Sequence, residues 1–278
     1  VAVERKAVKE DEEYRCIKMK ITIHKNTDEK VTFTLSGVST AYANTLRRLM
    51  LGEVPTMAIE EVTLDKNDSI LYDEIIAHRL GLVVLKTDLD SYTMTSICKC
   101  KGAGCPQCQL KLSLKSQGPK TVYAKDLVSK DPNVVPVYPD TVIVRLLEGQ
   151  ELQLEATAIL GTGKEHAKWS AGLIWYTNES IIKVNNKHKD FSAFKKQYSP
   201  QVFNKKGEID VKLINTAQLV DACIDVNPDI VKITFDKDSF LFTVESFGAL
   251  KAKDIVTKAV EVYEGQIKIF EGLVKALK

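Results

Sequence analysis

Four cysteines, Cys98, Cys100, Cys105 and Cys108, fall within a short stretch as C-x-C-x4-C-x2-C, while the rest of the 278-residue chain holds only Cys16 and Cys223. Thiolates at this density are the donor set of one tetrahedral metal site. The residues between them, Lys99, Lys101-Gly102-Ala103-Gly104 and Pro106-Gln107, include turn formers that let the backbone curl around an ion. Zinc is the favoured occupant. Two disulfides fit less well, because a Cys-x-Cys pair is poorly placed to bridge internally and nothing else marks a secreted chain. An iron-sulfur cluster on the same ligands stays open, since ligand type alone does not separate the metals.

Other chemistry is sparse. The four histidines, His24, His78, His166 and His188, show no ligand spacing with one another, and neither a Gly-rich phosphate loop nor an aspartate triad for nucleotide polymerisation is present. Glu165, His166 and Lys168 suggest acid–base work by residue type alone. With 39 basic against 37 acidic residues the net charge is +2, so there is no general electrostatic reason to bind nucleic acid or membrane. A free-standing zinc-dependent nucleic-acid binder would explain the cysteines but rests only on Lys99, Lys101 and Lys111 beside them. No run of 18 apolar residues occurs and the N-terminal stretch is charged, so a reducing, cytoplasmic compartment is expected, or the nucleus in a eukaryote.

The elements that must position the cysteines read as mixed α+β. Ile17, Met19, Ile21 and Ile23 alternate, a turn follows at Asn26-Thr27-Asp28, and Val31, Phe33 and Leu35 alternate again, which predicts a hairpin with one buried face. Ser39 is a good N-cap for a helix carrying Ala43, Leu46, Leu49 and Met50, ended by Gly52 and Pro55, with Asn44, Arg47 and Arg48 on its exposed side. From Ala58 the chain reads as strand, turn at Lys66-Asn67-Asp68 and a short helix from Asp73 to Arg79. The runs Leu110-Leu112-Leu114, Val142-Val144 and Leu152-Leu154-Ala156 then make residues 52–168 a β-rich unit with the metal loop upon it. Near the C-terminus Val256, Val260, Tyr263, Ile267, Phe270, Val274 and Leu277 recur in steps of four and three. That is a narrow helical seam suited to a partner helix, with packing on the chain's own sheet as the plainer alternative.

Three motifs carry a resemblance. The run from Phe33 through Ser36-Gly37-Val38-Ser39 to Asn44-Thr45-Leu46-Arg47-Arg48 resembles the assembly motif of the α-like subunits of multisubunit DNA-directed RNA polymerases. Ala77-His78-Arg79-Leu80-Gly81-Leu82-Val83 and Lys164-Glu165-His166-Ala167-Lys168-Trp169 are similar to two more of the family's signatures, and the archaeal D type is the best match. The resemblance implies a non-catalytic scaffold for transcription. Its discontinuous dimerisation domain would comprise 1–51, 169–177 and 236–278, with the β-rich domain 52–168 inserted. It further implies pairing with a smaller α-like subunit (L in archaea), carriage of subunits N and P, and docking of the second-largest, B-type subunit. Asn44, Arg47 and Arg48 would face that large subunit, nucleotidyl transfer would belong to the assembled enzyme, and DNA would be met only through it.

Residues 178–235 fit neither domain. In several archaeal members of the family this place holds a ferredoxin-like domain, and the order of Ser199-Pro200, Gly207 and Pro228 resembles one half of a ferredoxin. The ligands are largely missing: the positions fall on Ala217, Val220, Cys223 and Asn227, with Ser199 where the other half would place its cysteine. One cysteine cannot hold a cubane. The expectation is a small α/β insertion without an iron-sulfur cluster, which also argues against an electron-transfer protein.

Overall fold

The computed structural model of the chain describes residues 19–216, 219–224 and 226–277. Ile17 of the expected hairpin, Cys16 and Ala217 lie outside them. The described residues form a mixed helix and sheet structure with several antiparallel sheets and three hydrophobic cores.

The first core lies between one sheet and two helices. Strands β1 (Lys20–Asn26), β2 (Lys30–Ser36), β9 (Gly172–Val184) and β10 (Val231–Ser246) are ordered β1-β2-β10-β9. Helices α1 (Thr40–Gly52) and α6 (Ala252–Ala276), with Val54 and Ala171 from the connections, contribute the rest of this core. Register builds the apolar face. Phe242 lies opposite both Phe33 and Tyr176, and Phe240 opposite Leu35, so alternate residues of three strands meet on one side. The Phe33 and Phe242 rings stack with centroids 5.2 Å apart, and Tyr176 meets Phe240 edge-on at 5.4 Å. Helix α1 starts where expected, the Ser39 hydroxyl accepting from the Tyr42 N–H at 3.3 Å, and buries Ala43, Leu46, Leu49 and Met50.

Strand β1 corrects the expectation of a hairpin with a buried face. Ile21 and Ile23 sit in register with Leu35 and Phe33, on the side of the buried ladder, yet every residue of β1 is exposed. The reason is position. β1 is the sheet edge, and the helices cover β2, β9 and β10 but stop short of it.

The second core is built by β3 (Pro55–Asn67), α2 (Asp73–Gly81), β4 (Gln109–Gln117), β5 (Lys120–Tyr123), β6 (Val128–Ser129), β7 (Val142–Leu146) and β8 (Glu151–Thr162). Its sheet order is β3-β8-β4-β6, with β5 and β7 as a separate ribbon. Strict alternation in β4 sends Leu110, Leu112 and Leu114 inward to meet Leu154, Ala156 and Ala158 of β8. The expected turn at Lys66-Asn67-Asp68 begins two residues late: β3 runs through Asn67, whose side-chain oxygen then accepts from the Ser69 N–H and hydroxyl.

The third core gathers Tyr198, Val202, Ile209, Ile214, Cys223, Ile230 and Val231 around the far ends of β9 and β10, with the short helices α3 (Phe191–Phe194), α4 (Val211–Thr216) and α5 (Asp221–Ile224). β9 and β10 run without interruption from the first core into the third, the register shifting between Phe235 and Phe240.

Candidate metal centre and assembly surface

The cysteine loop sits immediately before β4. Backbone N–H groups of Lys101, Ala103 and Cys108 donate to the carbonyls of Cys98, Cys100 and Cys105 at 3.0, 3.1 and 2.9 Å, closing three successive turns. Lys101, Gly102 and Gly104 take φ values of 53, 86 and 79°, so the path is left-handed where glycine is best tolerated. The result is compact. Sγ atoms of Cys98 and Cys105 lie 3.5 Å apart, as do those of Cys100 and Cys108, and all four lie within 4.8 Å of one another. A tetrahedral ion with metal–sulfur bonds of about 2.3 Å places its sulfurs about 3.8 Å apart, so these thiols already surround a metal-sized space.

The electrostatics suit a cation. The hydrogen bond from Cys98, followed by that from Cys108 and those from the Gly102 and Gly104 N–H groups, pulls the Cys100 thiol down to about 6, although burial opposes this. Burial is the largest cause pushing Cys108 up to about 12. A metal ion in the centre would supply the positive charge that lets all four ionise. Among the described residues these cysteines are the one group of His, Cys, Asp and Glu side chains spaced to hold an ion. His24, His166 and His188 are engaged locally, with Thr34 Oγ1, the Lys168 N–H and the Asp190 N–H.

The sequence motifs act as joints. Trp169 is buried, its indole N–H donates to the Ile159 carbonyl at 3.3 Å, and its own carbonyl accepts from the Thr56 hydroxyl at 2.8 Å. The Lys168 ammonium lies 4.3 Å from the Trp169 ring centre and donates to the Ile59 carbonyl at 3.1 Å while pairing with Glu60. The Lys164 N–H and Ser170 hydroxyl reach the Gly52 and Leu51 carbonyls at the end of α1, at 3.0 and 3.3 Å. Glu165 accepts from the Thr162 N–H. This stretch therefore fastens the second core to α1. In the other motif Arg79 donates to the Ile143 carbonyl at 2.7 Å, clamping α2 to β7.

On α1, Asn44 and Arg47 are half-buried and Arg48 is exposed. Asn44 Oδ1 accepts from Arg47 Nε and Nη2 at 3.2 and 3.0 Å, which fixes the guanidinium and uses two of its five N–H donors. The α6 seam divides. Val256 and Tyr263 pack against the first core, while Val260, Ile267, Phe270, Val274 and Leu277 are exposed, Phe270 at 68%. The stripe that holds α6 down is Ala252, Ile255 and Ala259, which the seam overlooked because two of its three residues are small; their spacing of three and four was the available signal. Ile269 and Leu273 widen the exposed apolar side beyond the expected line.

At the lost cluster positions, Cys223 is fully buried and burial pushes its thiol up, as for an apolar core residue. Val220 packs against the same core, Ser199 precedes a short 3-10 turn, and the Asn227 side chain accepts from the Asp229 N–H.

Residues 57–190 match the family model described as RNA polymerase Rpb3/RpoA insert domain. A DNA-directed RNA polymerase subunit Rpo3 from Methanosarcina acetivorans is 40% identical over 255 residues, covering 89% of this chain and 95% of the relative. The Archaeoglobus fulgidus subunit of that name is 37% identical over 93% of this chain and 98% of its own length. The chain belongs to the Rpo3 family of DNA-directed RNA polymerase subunits. A third Rpo3 relative, from Pyrococcus horikoshii, is 39% identical with 88% and 93% of the two chains covered. The insert-domain match spans the cysteine loop, the Arg79 clamp and the Trp169 joint. Among the described residues no helix is long and apolar enough to cross a membrane.

Proposed function

We propose that this chain is the non-catalytic assembly scaffold of a DNA-directed RNA polymerase, pairing with a smaller α-like subunit of the L type. The observation that carries this reading is the outer half of α6, where Ile267, Ile269, Phe270, Leu273, Val274 and Leu277 are all exposed on one helix. Exposed apolar area of this kind is characteristic of a face that a partner covers. Met19, just before β1, and Ile21 and Ile23 of β1 are exposed as well, at the sheet edge. The apolar side of α1 is consumed by the chain's own core, so α1 would contribute Tyr42 and its polar side instead.

In this reading residues 1–51, 169–177 and 236–278 form the dimerisation domain, 52–168 the inserted β-rich domain and 178–235 a small α/β domain. Arg47, preset by Asn44, and Arg48 would dock the second-largest subunit through carboxylates and carbonyls. Subunits N and P would join the same platform, in the cytoplasm. Co-expression with the smaller α-like subunit, followed by size-exclusion chromatography, is the direct test: a stable one-to-one complex is expected, and independent elution of the two chains rejects the pairing.

Zinc is the occupant proposed for the four cysteines, as a structural ion stiffening a loop with little apolar area. Metal analysis of the reduced chain should give one zinc equivalent, and Cys108→Ser should release it while the β-rich core stays folded. Clearly less than one equivalent in the parent chain, or stoichiometric iron in its place, rejects zinc. The domain of residues 178–235 is proposed to hold no iron-sulfur cluster, Cys223 being a core residue. Anaerobic purification should yield no stoichiometric iron and sulfide, and a visible cluster spectrum that disappears in Cys223→Ala would contradict this.

A further inference from the structure

Over residues 183–206 the chain carries seven lysines, Lys183, Lys187, Lys189, Lys195, Lys196, Lys205 and Lys206, against the single acid Asp190. The whole chain is only +2, so its remainder is on balance acidic and this stretch is a local positive field. All seven are exposed. None makes an ion pair among the described residues, although lysines elsewhere do so readily, including Lys66, Lys111, Lys120 and Lys168. Lys183 also lies directly opposite Lys232 across the β9–β10 ladder, a like-charge pairing that costs stability unless an anion relieves it.

Hydrogen bonding draws the lysine-bearing loops together. Asn186 exchanges two hydrogen bonds with Ile209, 2.9 and 3.0 Å, tying the Lys187–Lys189 loop to the turn that carries Lys205 and Lys206. Lys195 reaches the same turn at Gly207 and sits 5.3 Å from the Phe203 ring centre and 5.8 Å from that of Phe191. Nearby acids are engaged locally: Glu208 accepts from the Asn204 amide, and Asp210 from the Lys212 N–H.

The chemistry of this surface is that of a phosphate backbone contact. No large apolar side chain is exposed among the described residues between Ile181 and Phe235, so there is no anchor of the kind that dominates protein–protein interfaces. The faces of Phe191 and Phe203 are already approached by Lys195, which disfavours base stacking. What remains is a set of unpaired ammonium groups on linked loops, suited to successive phosphodiesters without regard to base sequence. We propose that the third-core unit binds the phosphodiester backbone of nucleic acid through Lys187, Lys189, Lys195, Lys196, Lys205 and Lys206. This goes beyond the scaffold reading and differs from the expectation that nucleic acid is met only through the assembled enzyme.

The test is binding of the full chain to a short random-sequence duplex DNA, a single-stranded RNA and polyglutamate across a salt series. Six lysine–phosphate contacts predict that duplex affinity falls on the order of a thousandfold between about 50 and 200 mM salt, and RNA affinity a few hundredfold. The tighter of the two at matched salt identifies the natural backbone. The variant Lys187→Gln, Lys189→Gln, Lys196→Gln, Lys205→Gln, Lys206→Gln spares Lys195 and its packing, and should reduce that salt dependence to about fourfold. A variant at Lys99, Lys111 and Lys115, beside the cysteine loop and on β4, should bind like the parent. The proposal is overturned if the parent binds no nucleic acid at low salt, or if the folded five-lysine variant binds as the parent does. It is also overturned if the Lys99, Lys111 and Lys115 variant takes the loss, or if polyglutamate displaces nucleic acid at equal charge.

Discussion

Ile267→Asp with Phe270→Asp should abolish co-elution with the smaller α-like partner while leaving the chain itself folded. Both residues are exposed, at 47% and 68%, and neither belongs to the stripe of Ala252, Ile255 and Ala259 that holds α6 on the first core. Two carboxylates there cost the free chain little. In a complex they would be buried unpaired against an apolar helix face, each costing several kcal/mol, and a loss of about 3 kcal/mol already weakens binding more than a hundredfold. Lys268→Gln, a neighbouring change of charge, is the control and should co-elute normally. Retention of the complex by the double variant, with unchanged circular dichroism, would place the partner elsewhere.

Trp169→Ala should produce the largest loss of stability. The indole is buried, fills the space left by Gly161, and satisfies the Ile159 carbonyl. Truncating a buried tryptophan costs about 3–5 kcal/mol, and loss of the indole N–H bond to the Ile159 carbonyl adds to it. A Cβ at Gly161 would lie 2.4 Å from the Trp169 ring, so Gly161→Ala alone should also destabilise, by about 1–3 kcal/mol. In the Trp169→Ala background the ring is gone and the Gly161→Ala penalty should vanish. Equal penalties in both backgrounds, measured by denaturant unfolding, would mean that this packing is not what joins the second core to α1.

Local chemistry was the most legible part of the sequence. The Ser39 cap, the strict alternation of Leu110, Leu112 and Leu114, and the cysteine spacing each specify a structure within a few residues, and the structure contains all three. What failed depended on distant neighbours. Periodicity shows that Ile21 and Ile23 share a side of their strand, but whether a helix lies above them is decided by the sheet order β1-β2-β10-β9, which leaves β1 at the edge. The stripe that packs α6 on its own core is hidden for a related reason. Ala252 and Ala259 are small, which lets α6 approach the core closely but gives them little weight in an apolar periodicity. The roles of Trp169 and Arg79 were equally hidden, since their partners, the carbonyls of Ile159 and Ile143, are backbone atoms common to every sequence.

The uninterrupted passage of β9 and β10 between two cores bears on how such a chain gains or loses parts. Asn178 lies opposite Phe240 and Ser180 opposite Phe235, so the ladder narrows to a neck just beyond the aromatic layer of Tyr176, Phe240 and Phe242. A tight reversal spliced in at that neck would close the sheet while keeping every strand partner of the helix-covered region. The third core is thus a detachable outgrowth on a hairpin stem, and divergence in this lineage can enlarge, strip or replace it without redesigning the platform beneath.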